Sequence, residues 1–143
     1  MGYRVVHVSK ENSQISGITE LKDKSLDSTI NAIYHSEFFI GLSSGLSWLS
    51  WAIGQKVVMI SNFTEDWNEF DLSLDDYIRI TNKSVCHGCW NKINVDHTFD
   101  KNDWYWCPLH KDTPRQFECH TSITPEYVFE QINDWISWIK FPT

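Results

Sequence analysis

The chain has 143 residues, of which 41% are hydrophobic and 15% aromatic, and its formal net charge at pH 7 is −7. This length and apolar content predict one compact unit with a sizeable core and argue against intrinsic disorder. The acidic balance, without any basic run, argues against a nucleic-acid binder, and no apolar run reaches the ~18 residues of a membrane span.

The N-terminal residues 1–8 do not resemble a signal peptide, because one arginine is followed by a short strand-like run and then by polar residues. We therefore expect a cytoplasmic protein. In a reducing compartment, the four cysteines are better explained as metal ligands than as disulfide partners.

The first 34 residues predict one strand and one helix. The strand covers residues 3–9 (YRVVHVS), and its predicted buried side chains are Val5, Val6 and Val8. The following KENSQISG reads as a loop. Ser25 is the predicted N-cap of a helix ending near Tyr34, whose apolar stripe consists of Leu26, Ile30 and Ile33.

Residues 37–61 predict a strand, a turn, a helix and a second strand. EFFIGL is the first strand, Ser43-Ser44-Gly45 the turn, Leu46 to Ile53 the helix with Gly54 after its end, and KVVMIS the next strand. YIRIT, residues 77–81, is a further strand. Continuous apolar strands that alternate with helices predict an α/β fold, a Rossmann-like parallel sheet with helices on both faces.

The Ser-Ser-Gly turn lies where open α/β sheets bind their ligands, beyond the carboxyl end of a strand and before a helix N-terminus. Free backbone amides and the helix dipole favour an anion there, hydroxyls add donors, and glycine allows close approach. Polar residues follow the next strand at the same edge. The predicted nucleotide-binding residues are Ser43, Ser44, Gly45, Ser47, Asn62 and Thr64. The structural alternative is a serine N-cap beside a polar loop.

All four cysteines fall between Ser84 and His120, where helical and strand periodicity disappears. Cys86 and Cys89 form a CxxC pair, and Cys107 and Cys119 complete a set that can hold one ion tetrahedrally. Zinc is the ordinary ion for four thiolates, and iron is the other reasonable one. Three neighbouring histidines could replace a sulfur ligand: His87, His110 and His120.

Thr124 and Pro125 predict the start of a final helix, with the threonine as N-cap. Its predicted apolar face contains Val128, Ile132, Trp135 and Ile139, widened by Phe129 and Ile136. The chain therefore divides into a Rossmann-like region (1–83), a cysteine finger (84–121) and a C-terminal amphipathic helix (122–143). Most of the eight tryptophans should pack; Trp104 and Trp106 could shield the metal, and Trp67 or Trp90 could form an aromatic platform.

FFIGLSSGLSWLSWAIGQKVVMISNFT followed by NEFD resembles the donor-binding half of the bacterial autotransporter heptosyltransferases. VCHGCWN, WYWCPLHKDTPRQFECH and ITPE resemble the cysteine finger of the same family. Trp48 stands near the place where lipopolysaccharide heptosyltransferases usually have histidine, which favours the autotransporter group. The resemblance implies the C-terminal half of a GT-B glycosyltransferase that uses ADP-heptose, with iron in a structural finger.

The same resemblance implies O-glycosylation of serines on an autotransporter adhesin and a ring-like homo-oligomer. It also implies that this chain lacks the N-terminal, acceptor-binding domain, so that nucleotide binding without catalysis is expected of it alone. The sequence singles out no catalytic base among three carboxylates near the predicted site: Asp66, Glu69 and Asp71. The alternatives are a non-enzymatic assembly module with a vestigial nucleotide site and a rubredoxin-like redox protein, against which the single CxxC pair argues.

Overall fold

A computed structural model describes residues 2–70, 76–92, 102–103 and 105–140. In chain order the elements are β1 (Val6–His7), β2 (Thr19–Glu20), α1 (Leu26–Tyr34), β3 (Phe39–Leu42), α2 (Gly45–Ala52), β4 (Val57–Ile60), β5 (Tyr77–Ile80), α3 (Glu118–Thr121) and α4 (Pro125–Lys140). Two short 3₁₀ helices cover Asp66–Asn68 and Cys89–Asn91.

The main sheet is parallel and has the strand order β3-β4-β5. Phe39 is opposite Val57, and Val57 is opposite Tyr77, so the three strands are aligned in register. Their carboxyl ends therefore meet at one edge, where Ser43, Ser61 and Thr81 follow directly. The predicted α/β fold with a parallel sheet and flanking helices is confirmed.

The core lies on both faces of this sheet because the side chains of β4 alternate between them. Val57 and Met59 are fully buried on one face, in a cluster that also contains Phe70 and Tyr77. On the other face, β4 and β5 pack against α4 through a cluster that includes Val58, Ile80, Ile132 and Trp135. Burial on both faces explains the continuous apolar run of this strand.

The predicted helix caps are present. The Ser25 hydroxyl accepts a hydrogen bond from the Ser28 amide (3.3 Å), and the Thr124 hydroxyl accepts one from the Tyr127 amide (3.2 Å). Gly54, at φ +77°, follows the last residues of α2 as predicted. Two apolar-face assignments are wrong, because Leu26 is 64% and Phe129 54% exposed.

The N-terminal strand differs most from the prediction. Val6–His7 pairs in parallel with Thr19–Glu20, which the sequence does not predict as a strand, and the two form a sheet separate from β3-β4-β5. Val5 is 51% and Val6 37% exposed, so the predicted buried strand is wrong here. Two paired strands of two residues each bury little surface.

Within the described residues, no helix is both long enough and apolar enough to cross a bilayer. The proposed boundaries at residues 83 and 121 stay a prediction. The side chain of Ile139 and the residues Asp71 and Trp104 lie outside the described part of the chain.

Candidate functional site

The Ser-Ser-Gly turn joins β3 to α2 and leaves the first turn of the helix open. Ser44 is the N-cap in an extended conformation (φ −158°, ψ 171°), but its side chain makes no capping hydrogen bond. The first helical hydrogen bond runs from the Trp48 amide to the Ser44 carbonyl (3.2 Å). The amides of Gly45, Leu46 and Ser47 precede it and have no acceptor within the helix. Ser44 and Gly45 are exposed, so this end of α2 can receive an anion.

Gly45 is not required by the packing of the chain itself. A Cβ built at this position meets no atom within 4 Å. The empty space lies directly at the start of α2, where a side chain would restrict access to the backbone amides. The glycine thus keeps the helix N-terminus accessible to a ligand.

Ser47 lies on the inner side of the turn. It is 0% exposed, and its hydroxyl donates to the carbonyl of Leu42 (2.5 Å). This bond ties the first turn of α2 back to the end of β3. Ser47 can therefore stabilise the shape of the turn. Its hydroxyl proton is already used in this bond and is not available to a ligand.

Asn62 and Thr64 lie at the carboxyl end of β4, as predicted, and both are buried. The Asn62 amide donates to the Asn82 carbonyl (2.6 Å) and its oxygen accepts from the Asn82 amide (3.0 Å), which joins the ends of β4 and β5. The Thr64 hydroxyl donates to Glu69 and accepts from Arg79 (3.2 Å). Both side chains have their hydrogen-bonding groups in use within the protein.

Glu69 is the residue that sequence reasoning did not assign. It is only 8% exposed, and its Oε1 accepts a hydrogen bond from the Ser43 hydroxyl (2.6 Å). The sequence offered Asp66 and Glu69 as equal candidates for a carboxylate at the site, but the structure gives the two side chains different partners. Asp66 binds the Arg79 guanidinium (2.7 Å) and Lys83, away from the turn. Glu69 alone among the described carboxylates hydrogen-bonds to the Ser-Ser-Gly turn.

The CxxC pair forms a tight knuckle attached to the sheet. Gly88 has φ +66°, and its amide donates to the Asn62 carbonyl (2.8 Å). A Cβ at Gly88 would lie 1.9 Å from Oε1 of Glu65, so that carboxylate would have to move, and the positive φ is what favours glycine here. The Trp90 amide donates to the Phe63 carbonyl (3.2 Å). The knuckle is thereby fixed to the loop that carries Asn62 and Thr64.

None of the four cysteines forms a disulfide in the described structure, and some of the thiols affect one another's ionisation. Cys89, Cys107 and Cys119 are buried and Cys86 is half-buried. Burial, reinforced by Cys86, raises the pKa of the Cys89 thiol to about 12. Burial also raises the pKa of Cys119 to about 11, with further contributions from Cys107 and Cys86. Thiolates near one another would repel, and a bound cation would remove that repulsion, so the chemistry of four cysteines suits a metal. Among the described residues, however, the ligand atoms that lie mutually within 4.8 Å are those of Cys86, His110 and Glu118, and the four sulfur atoms do not form such a set.

His110 and Glu118 lie beside the thiols, and their ligand atoms are within 4.8 Å of each other and of the Cys86 sulfur. Glu118 is already bound by Arg115 Nε (2.9 Å) and by the Cys86 amide (3.1 Å). The Arg115 hydrogen bond lowers the pKa of Glu118 to about 2. Glu118 therefore stabilises the backbone of the knuckle through the Cys86 amide. His110 is the neighbour that could replace a sulfur ligand.

The remaining histidines and tryptophans predicted near the site differ in their contacts and exposure. His87 hydrogen-bonds through Nδ1 to the Val85 carbonyl (2.8 Å), and its Nε2 lies 3.8 Å from Oε1 of Glu65. Burial lowers the pKa of His120. Trp90 and Trp106 each lie 5.6 Å from the Phe63 ring, in an aromatic cluster beside the knuckle. Trp67 is 72% exposed, as a platform would have to be.

Comparison with known proteins identifies relatives over most of the chain. Aah of Escherichia coli, an autotransporter heptosyltransferase, is 45% identical over 103 residues, which are 72% of this chain and 25% of Aah. BimC of Burkholderia thailandensis, an inactive autotransporter heptosyltransferase, is 35% identical over 136 residues, which are 89% of this chain and 31% of BimC. No family model matches the chain.

Solved structures of a third relative have the same fold. The crystal structure of TibC, a bacterial iron-containing dodecameric glycosyltransferase from enterotoxigenic E. coli, superimposes with a TM-score of 0.84 at 37% identity. The superimposed region covers 96% of this chain and 37% of the TibC chain. A second TibC structure, in complex with ADP-D-beta-D-heptose, gives a TM-score of 0.78 at 36% identity. The chain is thus a homologue of the autotransporter heptosyltransferases that spans between 25% and 39% of the length of these relatives.

Proposed function

We propose that this chain is the donor-binding, metal-finger portion of a protein O-heptosyltransferase and that it binds ADP-heptose at the Ser43-Ser44-Gly45 turn. The observation that carries the proposal is the exposed N-terminus of α2, where Ser44 makes no capping bond and Gly45 leaves open space. An N-terminus with free amides suits the diphosphate of a nucleotide sugar. TibC, whose structure is so similar, has been solved with ADP-heptose.

In a complete enzyme, these amides would stabilise the negative charge that grows on ADP as the heptose is transferred. Donors fixed in advance by a helix give such stabilisation without reorganisation. The acceptor we propose is a serine of an autotransporter adhesin, and the reaction belongs in the bacterial cytoplasm. The chain spans only part of its relatives, and one of these is an inactive enzyme, so binding without catalysis is proposed for this chain alone.

The metal we propose for Cys86, Cys89, Cys107 and Cys119 is iron, with zinc as the alternative. Four sulfur ligands leave no open position on a tetrahedral ion, so the metal is structural. It would hold together a segment whose regular structure is limited to a short 3₁₀ helix and α3 among the described residues. Iron is favoured because TibC is an iron-containing protein.

A second candidate function is assembly, and a distinct observation favours it. The described part of the finger and α4 exposes large apolar side chains: Trp90 (47%), Tyr105 (69%), Leu109 (42%) and Phe129 (54%). Exposed apolar surface is typical of protein contacts. TibC is dodecameric, and we propose a ring-like homo-oligomer here as well. In this alternative the Ser-Ser-Gly turn is vestigial.

Calorimetric titration of the metal-loaded chain with ADP, GDP and UDP tests the first function against the second. We expect measurable binding of ADP and at least ~10-fold weaker binding of the other two, a difference of about 1.4 kcal/mol. Metal content is measured on the same sample. If no nucleotide binds although the metal and the fold are intact, the donor-site proposal fails and assembly becomes the better explanation.

A further inference from the structure

The carboxylate of Glu69 accepts the hydroxyl proton of Ser43 in a hydrogen bond. Its Oε1 lies 2.6 Å from the Ser43 oxygen and also accepts the hydroxyl of Thr64. An ionised carboxylate can only accept hydrogen bonds, so in this pair the serine is the donor. The Ser43 oxygen then has only its lone pairs left for anything that enters the site.

Packing keeps Glu69 in this place. The neighbouring Phe70 is 2% exposed, stacks on Trp51 of α2 (5.5 Å, 7° between the planes) and contacts Trp48 edge-on (4.8 Å). The Tyr77 ring contacts it from β5 (5.0 Å). Since Phe70 is held by the same helix that begins at the Ser-Ser-Gly turn, Glu69 is fixed relative to Ser43.

We propose that Glu69 is a positioning residue that makes Ser43 a hydrogen-bond acceptor for a hydroxyl group of the nucleotide sugar. This inference rests on the proposed function and assigns its two serines different tasks. Phosphate oxygens need hydrogen-bond donors. The backbone amides at the start of α2 supply them, and so does the Ser44 hydroxyl, which makes no capping hydrogen bond. Ser43 offers no donor while it is bonded to Glu69, so it suits a ribose or heptose hydroxyl instead.

The second carboxylate oxygen of Glu69 supports the assignment of phosphate to the helix amides and of a hydroxyl group to Ser43. Oε2 of Glu69 is buried and has no hydrogen-bond partner among the described residues. Its negative charge is therefore only partly neutralised by hydrogen bonds, and it disfavours a phosphate beside Ser43. A neutral hydroxyl that donates to Ser43 meets no such repulsion. The site is thus divided into a donor side at the helix amides and an acceptor side at Ser43.

The test compares three probes on the metal-loaded chain by calorimetry: pyrophosphate, ADP and ADP-heptose. Glu69→Gln keeps the size of the side chain and removes its charge, and Ser43→Ala removes the acceptor. We expect Ser43→Ala to bind pyrophosphate as the wild type does, and Glu69→Gln to bind it at least as tightly because a repelling charge is removed. Both variants should lose about tenfold in affinity for the probe whose hydroxyl group donates to Ser43. Loss with ADP-heptose alone identifies a heptose hydroxyl, and equal loss with ADP identifies a ribose hydroxyl.

Glu65→Gln is the matched control, because Glu65 lies on the same loop but faces His87 and Lys83. It should bind all three probes normally. The double variant should lose no more than either single one, since both disrupt one interaction. Unchanged affinities in Ser43→Ala, or an equal loss with pyrophosphate, overturn the inference even if Glu69→Gln fails to fold. If the wild type binds none of the probes, the proposed function fails as well.

Discussion

Replacing Cys107 by alanine is expected to release the metal and to lower the free energy of unfolding by several kcal/mol. Cys107 is 8% exposed and lies close enough to Cys119 to contribute to the raised pKa of that thiol. Removal of one ligand from a four-sulfur site leaves an incomplete coordination shell, and structural metal sites contribute folding free energy directly. For a chain of this size, a loss of about 3 kcal/mol corresponds to roughly 10 °C in Tm.

The measurement is metal content and Tm, with and without a chelator. The chelator should lower the Tm of the wild type towards that of Cys107→Ala and should leave the variant unchanged. Leu109→Ala, at an exposed neighbour in the same finger, is the control for general disturbance. His110→Gln should retain one metal if the four cysteines are the ligands. A Cys107→Ala protein with wild-type Tm and metal content would show that this cysteine is not a ligand.

Replacing Gly45 by tryptophan is expected to abolish ADP binding in a folded protein. A Cβ at Gly45 meets no atom within 4 Å, so the first atom of a side chain fits there without displacing its neighbours. The indole would cover the amides at the start of α2, and we expect affinity to fall at least ~100-fold, about 3 kcal/mol. Gly45→Ala should give a smaller loss, because its single methyl group restricts access less.

Leu26→Trp is the matched control for this substitution. Leu26 is the first residue of α1, as Gly45 is of α2, and it is 64% exposed. The control therefore puts the same side chain at the same helix position away from the proposed site. Calorimetry with ADP, together with the Tm of each variant, gives the result. Wild-type affinity in folded Gly45→Trp would move the diphosphate away from this turn.

Local signals account for the parts of the fold that the sequence predicts correctly. The strands β3, β4 and β5 are marked by apolar runs, and α1 and α4 by the caps Ser25 and Thr124. These signals need only a few neighbouring residues, so they can be read along the chain. The strand Thr19–Glu20 carries no apolar run and exists only through its pairing with Val6–His7.

The candidate site is predictable only in part, for the same physical reason. The cysteines can be recognised by type and spacing, and in the structure Cys86 influences the ionisation of both Cys89 and Cys119. That these four residues are the ligands of one metal stays a prediction. The relation between Ser43 and Glu69 spans 26 residues of sequence and depends on how Phe70 packs on α2. Sequence alone also does not show that Ser47 and Asn62 turn inward, with 0% and 1% exposure.

Hydrogen–deuterium exchange of the metal-loaded chain, with and without saturating ADP, tests the central claim most directly. The amides of Gly45 and Leu46 have no acceptor within α2 and should exchange rapidly in the free protein. We expect ADP to slow their exchange strongly, because its diphosphate accepts their hydrogen bonds. If ADP binds and these amides exchange as fast as before, the diphosphate does not lie at the Ser-Ser-Gly turn.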